Sequence, residues 1–312
     1  MDVYVGIDCG ATNCRLGVVE PNGNLLDSVK FSSPLRTHPQ HFGQIIKEHL
    51  DQLMKPEWSI KAIGVGTPGP LDLENGLILP SSNIGNAENI NLKGQLESLF
   101  NVPIYFDRDT NVALLGESWV GIAKGVQDAV MLTLGSGVGG ALMINGGLER
   151  GASGKAGELG HVLLSITGPA TRKPQNLPTP LTSAGPHSGA PLLASPVPKS
   201  DLLIFRSSDS PTCGLGHQGC LEAWINSTKD LEEFSYFLGL GLANIVDIFN
   251  PQMIVIGGGK VNIGDFLTKA IEVMKENGTK GAVDEVKVLY AKLGDSSGVY
   301  GAAKLAIDNL TK

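Results

Sequence analysis

The sequence lacks the features of a nucleic-acid-binding or membrane-spanning protein. Lysine and arginine together number 24 against 31 aspartate and glutamate residues, so the net charge of -7 leaves no basic surface for nucleic acid. No apolar run approaches the ~18 residues that a membrane span needs, and no signal-like apolar segment follows a basic start. These absences predict a soluble, cytoplasmic protein with no nucleic-acid and no membrane partner.

Cysteine is also scarce, with four residues in 312. A cytosolic chain of this length buries enough apolar surface to fold without disulfides. Cys9 and Cys14 flank a glycine turn, and we interpret them as small buried thiols. Cys213 and Cys220 lie in a loop rich in glycine and histidine, which makes them better candidates for metal ligands.

Glycine, by contrast, is abundant, since 41 residues of 312 is about double the usual share of ~7%. The glycines have no three-residue period and cluster beside apolar runs, which is typical of tight turns where the backbone approaches a ligand. Strand-like and helix-like stretches alternate, a pattern typical of a largely parallel sheet covered by helices. At ~100–200 residues per domain, the length favours two α/β domains.

A glycine hairpin occurs twice in the chain. The first follows a buried strand at residues 8–12 (DCGAT), and the second lies between two apolar arms at residues 135–140 (GSGVGG). We interpret the pair as one supersecondary unit used once per domain, with domains at residues 1–118 and 119–312. A third glycine hairpin is expected around GGG at residues 257–259.

Residues 167–212 differ from the rest of the chain. The part at 167–200 holds eight of the 18 prolines, has few charges and shows neither helical nor strand periodicity. A loop of this length is uncommon inside a compact domain, so we interpret the segment as an insertion. A passive insertion and a lid over a site are both open.

The glycine turns and their hydroxyl groups favour a phosphate site. Gly10 lets phosphate oxygens approach backbone N–H groups, Thr12 adds a hydroxyl donor, and Asp8 can hold magnesium or its water. The second turn repeats this chemistry with Ser136. Neither a P-loop nor a dinucleotide-binding fingerprint is present. The two hairpins together with GGG therefore predict a nucleotide site of another kind.

Asp109 is the candidate general base. It lies in FDRDTNVALLGE, between a buried strand and a helix predicted over residues 110–119, where a carboxylate can accept a substrate proton. The alternative that Asp109 only caps this helix is open. Asp107, two residues earlier, is the weaker candidate.

Two further motifs contain metal-ligating and acidic residues, GELGH and CGLGHQGCLE. Cysteine and histidine suit tetrahedral zinc, but the spacing is not that of a CxxC pair, so two loop thiols beside a surface histidine are the alternative. Glu158 and Glu222 flank these residues, and carboxylates there could bind sugar hydroxyls.

The order of these motifs resembles that of the ROK family, which comprises repressors, open reading frames and sugar kinases of the actin-like ATPase superfamily. The resemblance covers residues 3–165 and 213–307, and it includes DxGxT, RDTNVALLGE, LGSGVGG, GELGH, CGLGHQGCLE, IGGG and DSSGVYGAA. It implies two actin-like (ribonuclease H-like) domains with a sugar and ATP in the cleft between them. It also implies a homodimer.

The resemblance assigns roles to individual residues, with Asp109 as catalytic base. The implied sugar-binding residues are Ser82, Asn83, Arg108, Glu158, His161 and Glu222. The implied nucleotide-binding residues are Asp8, Gly10, Ala11, Thr12, Gly135, Ser136, Gly137, Gly257 and Gly258. The metal candidates are His161, Cys213, His217 and Cys220.

Three departures from the family pattern matter. Leu215 replaces the middle cysteine of the family's CxCGxxGC zinc motif, so His217 or water would complete a zinc site, or the site is lost. Arg108 replaces an asparagine that contacts sugar, and it should change hydroxyl specificity or pair with a carboxylate. D-allose kinases look similar here and in Arg15 after DxGAT. The insertion at 167–212 is the third departure.

These observations lead to the hypothesis of an ATP-dependent hexose kinase. It would use magnesium and transfer the γ-phosphoryl group, expected at O6, with Asp109 as general base. One alternative is a non-catalytic sugar-binding regulator of the same family, and another is a degenerate binding protein. Repressors of the family carry a helix-turn-helix domain before the core, whereas here the core begins at residue 3, so direct DNA binding is not expected.

Overall fold

The computed structural model describes residues 1–81, 84–85, 88–164 and 210–311. Ser82 and Asn83, which the resemblance places against the sugar, lie outside the described residues. So do residues 167–209, which form most of the predicted insertion.

The first part of the chain forms a five-stranded sheet. Its elements are β1 (Asp2–Cys9), β2 (Asn13–Val19), β3 (Leu25–Ser32), α1 (Phe42–Leu53), β4 (Ser59–Thr67), β5 (Leu71–Asp72), β6 (Leu77–Ile78), β7 (Ile90–Asn91), α2 (Leu92–Glu97), β8 (Ile104–Arg108) and α3 (Asp109–Trp119). The strand order is β3-β2-β1-β4-β8, with β5, β6 and β7 in a small separate sheet. β1, β2 and β3 form an antiparallel meander, and β4 and β8 run parallel to β1.

The second part repeats this topology. Its elements are β9 (Ala129–Leu134), β10 (Val138–Ile144), β11 (Gly147–Glu149), α4 (Leu221–Ser227), α5 (Leu231–Phe249), β12 (Met253–Gly257), α6 (Leu267–Asn277), α7 (Ala282–Glu285), β13 (Lys287–Tyr290) and α8 (Ser297–Leu310). The order is β11-β10-β9-β12-β13, again an antiparallel meander followed by two parallel strands. The prediction of one unit used twice is confirmed.

The prediction of a third glycine hairpin at residues 257–259 is wrong. β13 runs parallel to β12, and a parallel pair cannot be joined by a tight turn. The chain therefore leaves β12 through a 3-10 turn at Gly259–Asn262 and crosses over through α6 and α7 before it returns.

Two buried clusters account for most of the core. One packs α1 and α2 against the first sheet, where Phe42, Ile46 and Leu50 of α1 are buried at helical spacing. The other packs α5 and α6 against the second sheet. Cys9 and Cys14 are free thiols inside the first cluster, as predicted. Within the described part of the chain, no helix has the length and apolarity to cross a bilayer.

α8 packs on the first sheet although it follows the second one in the chain. Glycines make this approach close enough for backbone contact. A Cβ on Gly6 would lie 2.0 Å from the carbonyl oxygen of Val299, and one on Gly64 would lie 1.8 Å from that of Ala302. The division of the chain after residue 118 stays a prediction, and the contacts of α8 show that the first sheet also uses residues from the far end of the sequence.

Candidate active site

Asp109 lies where β8 ends and α3 begins, at the carboxyl edge of the first sheet. It is the first residue of α3, and Arg108 takes the cap position before it. The Asp109 Oδ1 atom accepts a hydrogen bond of 2.7 Å from the backbone N–H of Thr110. Burial raises the pKa of Asp109, opposed by the Thr110 N–H and the charge of Arg108, and the charge of Glu158 raises it further. A carboxylate with a raised pKa is a better proton acceptor near neutral pH.

Arg108 carries a buried guanidinium beside this carboxylate, with 7% of the residue exposed. Its Nη1 donates to Glu158 Oε1 at 2.8 Å, and its Nη2 donates to Asn111 Oδ1 at 3.3 Å and to the carbonyl oxygen of Ala156. The expectation that Arg108 pairs with a carboxylate is confirmed. The buried Nε–H finds no acceptor among the described residues.

Glu158 and His161 lie together at a 3-10 turn, Leu159–His161, that packs against the second sheet. The His161 Nε2 atom is 3.9 Å from Glu158 Oε2. The Glu158 side chain is 55% exposed, so its second oxygen can reach a ligand while the first holds Arg108. Glu158 is thus within electrostatic range of Asp109, and His161 lies beside Glu158.

Asp8 lies at the end of β1, on the same carboxyl edge as Asp109 because β1, β4 and β8 are parallel. Burial raises the pKa of Asp8 to about 7, and the negative charge of Asp109 adds to the rise. Arg15, opposite Asp8 on β2, lowers it. The turn that follows is closed by a 2.9 Å bond from the Gly10 N–H to the Asn13 carbonyl. Ala11 and Thr12 form the tip of this turn.

The second hairpin, at Gly135, Ser136 and Gly137, lies at the carboxyl end of β9 and is held by α4. Glu222 Oε2 accepts from the Val138 N–H at 2.8 Å, and Asn226 Nδ2 donates to the Ser136 carbonyl at 2.8 Å. Glu222, predicted to bind sugar, therefore also supports the glycine hairpin.

The GGG turn lies against the same hairpin. Gly258 has a φ of +91°, and a Cβ there would lie 2.5 Å from the carbonyl oxygen of Leu134. Gly257, the last residue of β12, pairs with the end of β9. The predicted nucleotide residues thus form two groups, one at each sheet's carboxyl edge.

Two residues of this region were missed by the sequence reasoning. Lys260 Nζ donates to Asn226 Oδ1 at 2.6 Å, which links α4 to the residue after GGG. Burial lowers the pKa of Lys260, and the charge of Glu222 opposes this. The available signals were the position of Lys260 directly after GGG and the i, i+4 spacing of Glu222 and Asn226 on α4.

Three of the four predicted metal ligands come together. The donor atoms of His161, Cys213 and His217 lie within 4.8 Å of one another. Two imidazoles and a thiol are a donor set that suits zinc, so these residues fit the metal. Cys220 is outside this group of three, and burial raises the pKa of its thiol.

Comparison with known proteins places these features in a family. A sequence profile described as ROK family matches residues 4–232 and 225–309. Glucokinase of Halalkalibacterium halodurans is 30% identical over 328 aligned residues, which cover 97% of this chain and 94% of that protein. The xylose repressor of Caldicellulosiruptor bescii is 27% identical over 270 aligned residues, 85% of this chain and 67% of the repressor.

Solved structures agree with the fold. The ROK hexokinase from Thermus thermophilus superposes with a TM-score of 0.74 at 24% identity, covering 99% of both chains. A ROK family glucokinase from Streptomyces griseus, in complex with glucose and AMPPNP, has a TM-score of 0.73 at 23% identity, covering 98% of this chain and 99% of its own. The predicted fold class, two actin-like α/β domains, is confirmed.

Proposed function

The chain belongs to the ROK family, and on this basis we propose that it is a sugar kinase that transfers the γ-phosphoryl group of ATP to a hexose hydroxyl, at O6. The observation that carries the proposal is the placement of Asp109. Its partly buried carboxylate lies beside the Arg108–Glu158 pair and within electrostatic range of Asp8 on the same sheet edge.

In the proposed reaction Asp109 is the general base. It accepts the proton of the sugar hydroxyl while that oxygen forms a bond to the γ-phosphorus. The bond from this phosphorus to the bridging oxygen breaks, and its electron pair leaves with ADP. Most of the acceleration comes from positioning and charge stabilisation rather than from covalent catalysis.

The remaining residues bind the two substrates. Glu158, His161, Glu222 and Arg108 face the sugar. The resemblance assigns the same role to Ser82 and Asn83, which lie outside the described residues. Backbone N–H groups of the two glycine hairpins, with the hydroxyls of Thr12 and Ser136, bind the ATP phosphates.

Asp8 fits a magnesium site. Its carboxylate is partly buried and lies near the negative charge of Asp109, which together raise its pKa to about 7, and a divalent cation would favour the ionised form. Magnesium, when bound, supplies positive charge to the phosphate oxygens.

The proposal is tested by a coupled ADP-release assay with Mg-ATP across glucose, allose, mannose, fructose, N-acetylglucosamine and N-acetylmannosamine. We expect sugar-dependent turnover that Asp109→Asn lowers by ~10²–10⁴-fold, because the amide cannot accept the proton. Sugar affinity measured by calorimetry should stay close to that of the wild type. Asp51→Asn, an exposed aspartate on α1, is the matched control. Substantial turnover in Asp109→Asn would remove Asp109 from the role of base.

A second candidate function, a sugar-binding regulator without kinase activity, rests on one observation. The Arg108–Glu158 pair already uses a carboxylate oxygen that a kinase would offer to the sugar. Sugar binding by calorimetry with no turnover across the whole panel would favour this function over the kinase.

We further propose that His161, Cys213 and His217 hold a structural zinc ion, with water or Cys220 as fourth ligand. Zinc there would fix the loop at residues 210–220 against the turn that carries Glu158 and His161. Elemental analysis should find zinc in the wild type and in His38→Gln, which changes an exposed histidine elsewhere, and lose it in Cys213→Ser. Zinc retained in Cys213→Ser would contradict the site.

We also propose that the protein forms a homodimer, as the resemblance implies. Light scattering measures the mass in solution, and a mass of one chain would contradict this.

A further inference from the structure

Asp107, directly before Arg108, is a fully buried carboxylate that the proposed reaction does not use. Its partner is Arg150, which follows β11 in the second sheet. Arg150 Nε and Nη2 lie 2.8 and 2.6 Å from Asp107 Oδ2. The Arg150 side chain is 36% exposed while that of Asp107 is completely buried. A partly solvent-exposed arginine therefore compensates the charge of a buried aspartate.

The second oxygen of Asp107 holds the segment that carries the base. Oδ1 accepts from Asn111 Nδ2 at 2.6 Å and from the Arg108 N–H at 2.8 Å. Asn111 is itself buried, and its Oδ1 accepts from Arg108 Nη2. A buried amide has little freedom to rotate when both of its ends are bonded, so Asp107 sets the orientation of Asn111, and Asn111 helps to set that of Arg108.

A connected series of contacts therefore runs from Arg150 to Glu158. Its members, in order, are Arg150, Asp107, Asn111, Arg108 and Glu158. Both ends of the series follow β11 in the chain, and its middle lies at the junction of β8 and α3. Two arginine–carboxylate pairs thus link the β8–α3 junction to the segment after β11. The junction supplies the arginine of one pair, Arg108, and the segment supplies the arginine of the other, Arg150.

We propose that Arg150, acting through Asp107, is a positioning residue that holds Arg108 and Glu158 in the geometry needed to bind the sugar. This inference rests on the proposed kinase function. Without Arg150, Asp107 is a buried carboxylate that has lost its cation, and its side chain turns toward water or toward another donor. Either change releases Asn111 and Arg108 on the sugar side of the site. Among the described residues, the turns at Gly10 and Ser136 make no hydrogen bond or ion pair with the series.

The test measures both Michaelis constants and kcat in the ADP-release assay for Arg150→Met, Arg150→Lys and a control. Arg150→Met keeps the length of the side chain but removes its charge. We expect it to raise the KM for the sugar about tenfold and to leave the KM for ATP within about twofold. Loss of folded enzyme alone would lower kcat and leave both KM values unchanged. The control Lys61→Met removes a similarly exposed cation, paired with Asp2 at the far end of β4.

Arg150→Lys keeps the charge but cannot reproduce the paired N–H contacts, so its sugar KM should lie between those of the wild type and Arg150→Met. This variant decides the question if Arg150→Met does not fold. If the wild type is active and the folded Arg150 variants have an unchanged KM for the sugar, the positioning role is overturned. The kinase function is not affected by that result. A wild type that is inactive on every sugar overturns the kinase function and this inference with it.

Discussion

Asp8 and Asp109 are two carboxylates with raised pKa values on one sheet edge, and this has a consequence for stability. A carboxyl group whose pKa is higher in the folded than in the unfolded chain binds more protons in the folded state at intermediate pH. For Asp8 the interval runs from the ordinary value of 3.8 to about 7. The ligand-free protein should therefore lose stability as the pH rises through this interval, and the loss should be complete just above it.

Replacing Asp8 by asparagine should reduce this pH dependence. Between pH 5.0 and 7.5 the free energy of unfolding of the wild type should fall, with Asp8 contributing at most about 3 kcal/mol, because about two pKa units of its shift lie in this window at ~1.4 kcal/mol each. The free energy of unfolding of Asp8→Asn should fall less over the same interval, because the amide does not ionise. At pH 7.5 this variant should be more stable than the wild type. Urea unfolding at the two pH values measures this. Asp51→Asn is the control, and an equal fall in Asp8→Asn would show that Asp8 is not the group responsible.

At the residue scale, candidate site residues could be predicted from the sequence, but the side chains that they contact could not. Asp109 could be identified because it follows a buried strand. For Arg108, which replaces an asparagine of the family pattern, a changed hydroxyl specificity or a carboxylate partner was expected, and the partner, Glu158, was not named. Arg150 could not be identified, since nothing local distinguishes an arginine after a short strand. Lys260 and Asn226 were missed because their contact joins helix α4 to the 3-10 turn after β12, two elements that are separated in sequence.

Among the elements, the packing of α3 against α8 depends on glycine. A Cβ on Gly301 would lie 1.5 Å from the carbonyl oxygen of Val112, and one on Gly116 would lie 2.1 Å from that of Ser297. These neighbours are backbone atoms, which cannot move aside as a side chain can. The two helices therefore touch through their main chains, and any side chain at the crossing must push them apart.

Gly301→Ala should destabilise the protein although alanine is the better helix former. The helix propensity of alanine favours the variant by ~1 kcal/mol, whereas forcing two packed helices apart costs ~3 kcal/mol or more. Thermal and urea unfolding measure the difference. Gly147→Ala is the matched control, because the nearest atom to its Cβ is the Ile144 carbonyl oxygen at 3.7 Å, an ordinary contact. Equal stability of the two variants would mean that the helices separate easily.

For the whole molecule, the doubled topology was predictable and the path of the chain between the halves was not. Apolar arms around a glycine turn mark the first two strands of each sheet, so the repeat is visible in DCGAT and GSGVGG. The apolar face of α8 does not indicate which sheet it covers. The parallel connection after β12 was missed for a similar reason, since a glycine turn after a strand does not reveal the direction of the next strand.

A chain that ends at residue 296 tests how far the first sheet depends on α8. Val299, Ala302 and Ala306 of α8 are buried, and without them the strands around Gly6 and Gly64 lose their cover. We expect the truncated chain to aggregate or to lose the cooperative unfolding of the first sheet. Gel filtration and circular dichroism measure both effects, with a chain ending at residue 310 as the control. A monomeric, cooperatively folded truncation would show that α8 is dispensable.

The position of α8 also sets the order of events during synthesis. A ribosome makes the strands of the first sheet early, but the helix that covers one face of that sheet leaves the exit tunnel only after the whole second sheet. During translation the nascent first sheet therefore exposes an apolar face, with Gly6 and Gly64 uncovered, for as long as the second half takes to be made. A general chaperone that binds apolar surface on nascent chains is expected to engage this protein in that interval and to be released when α8 docks.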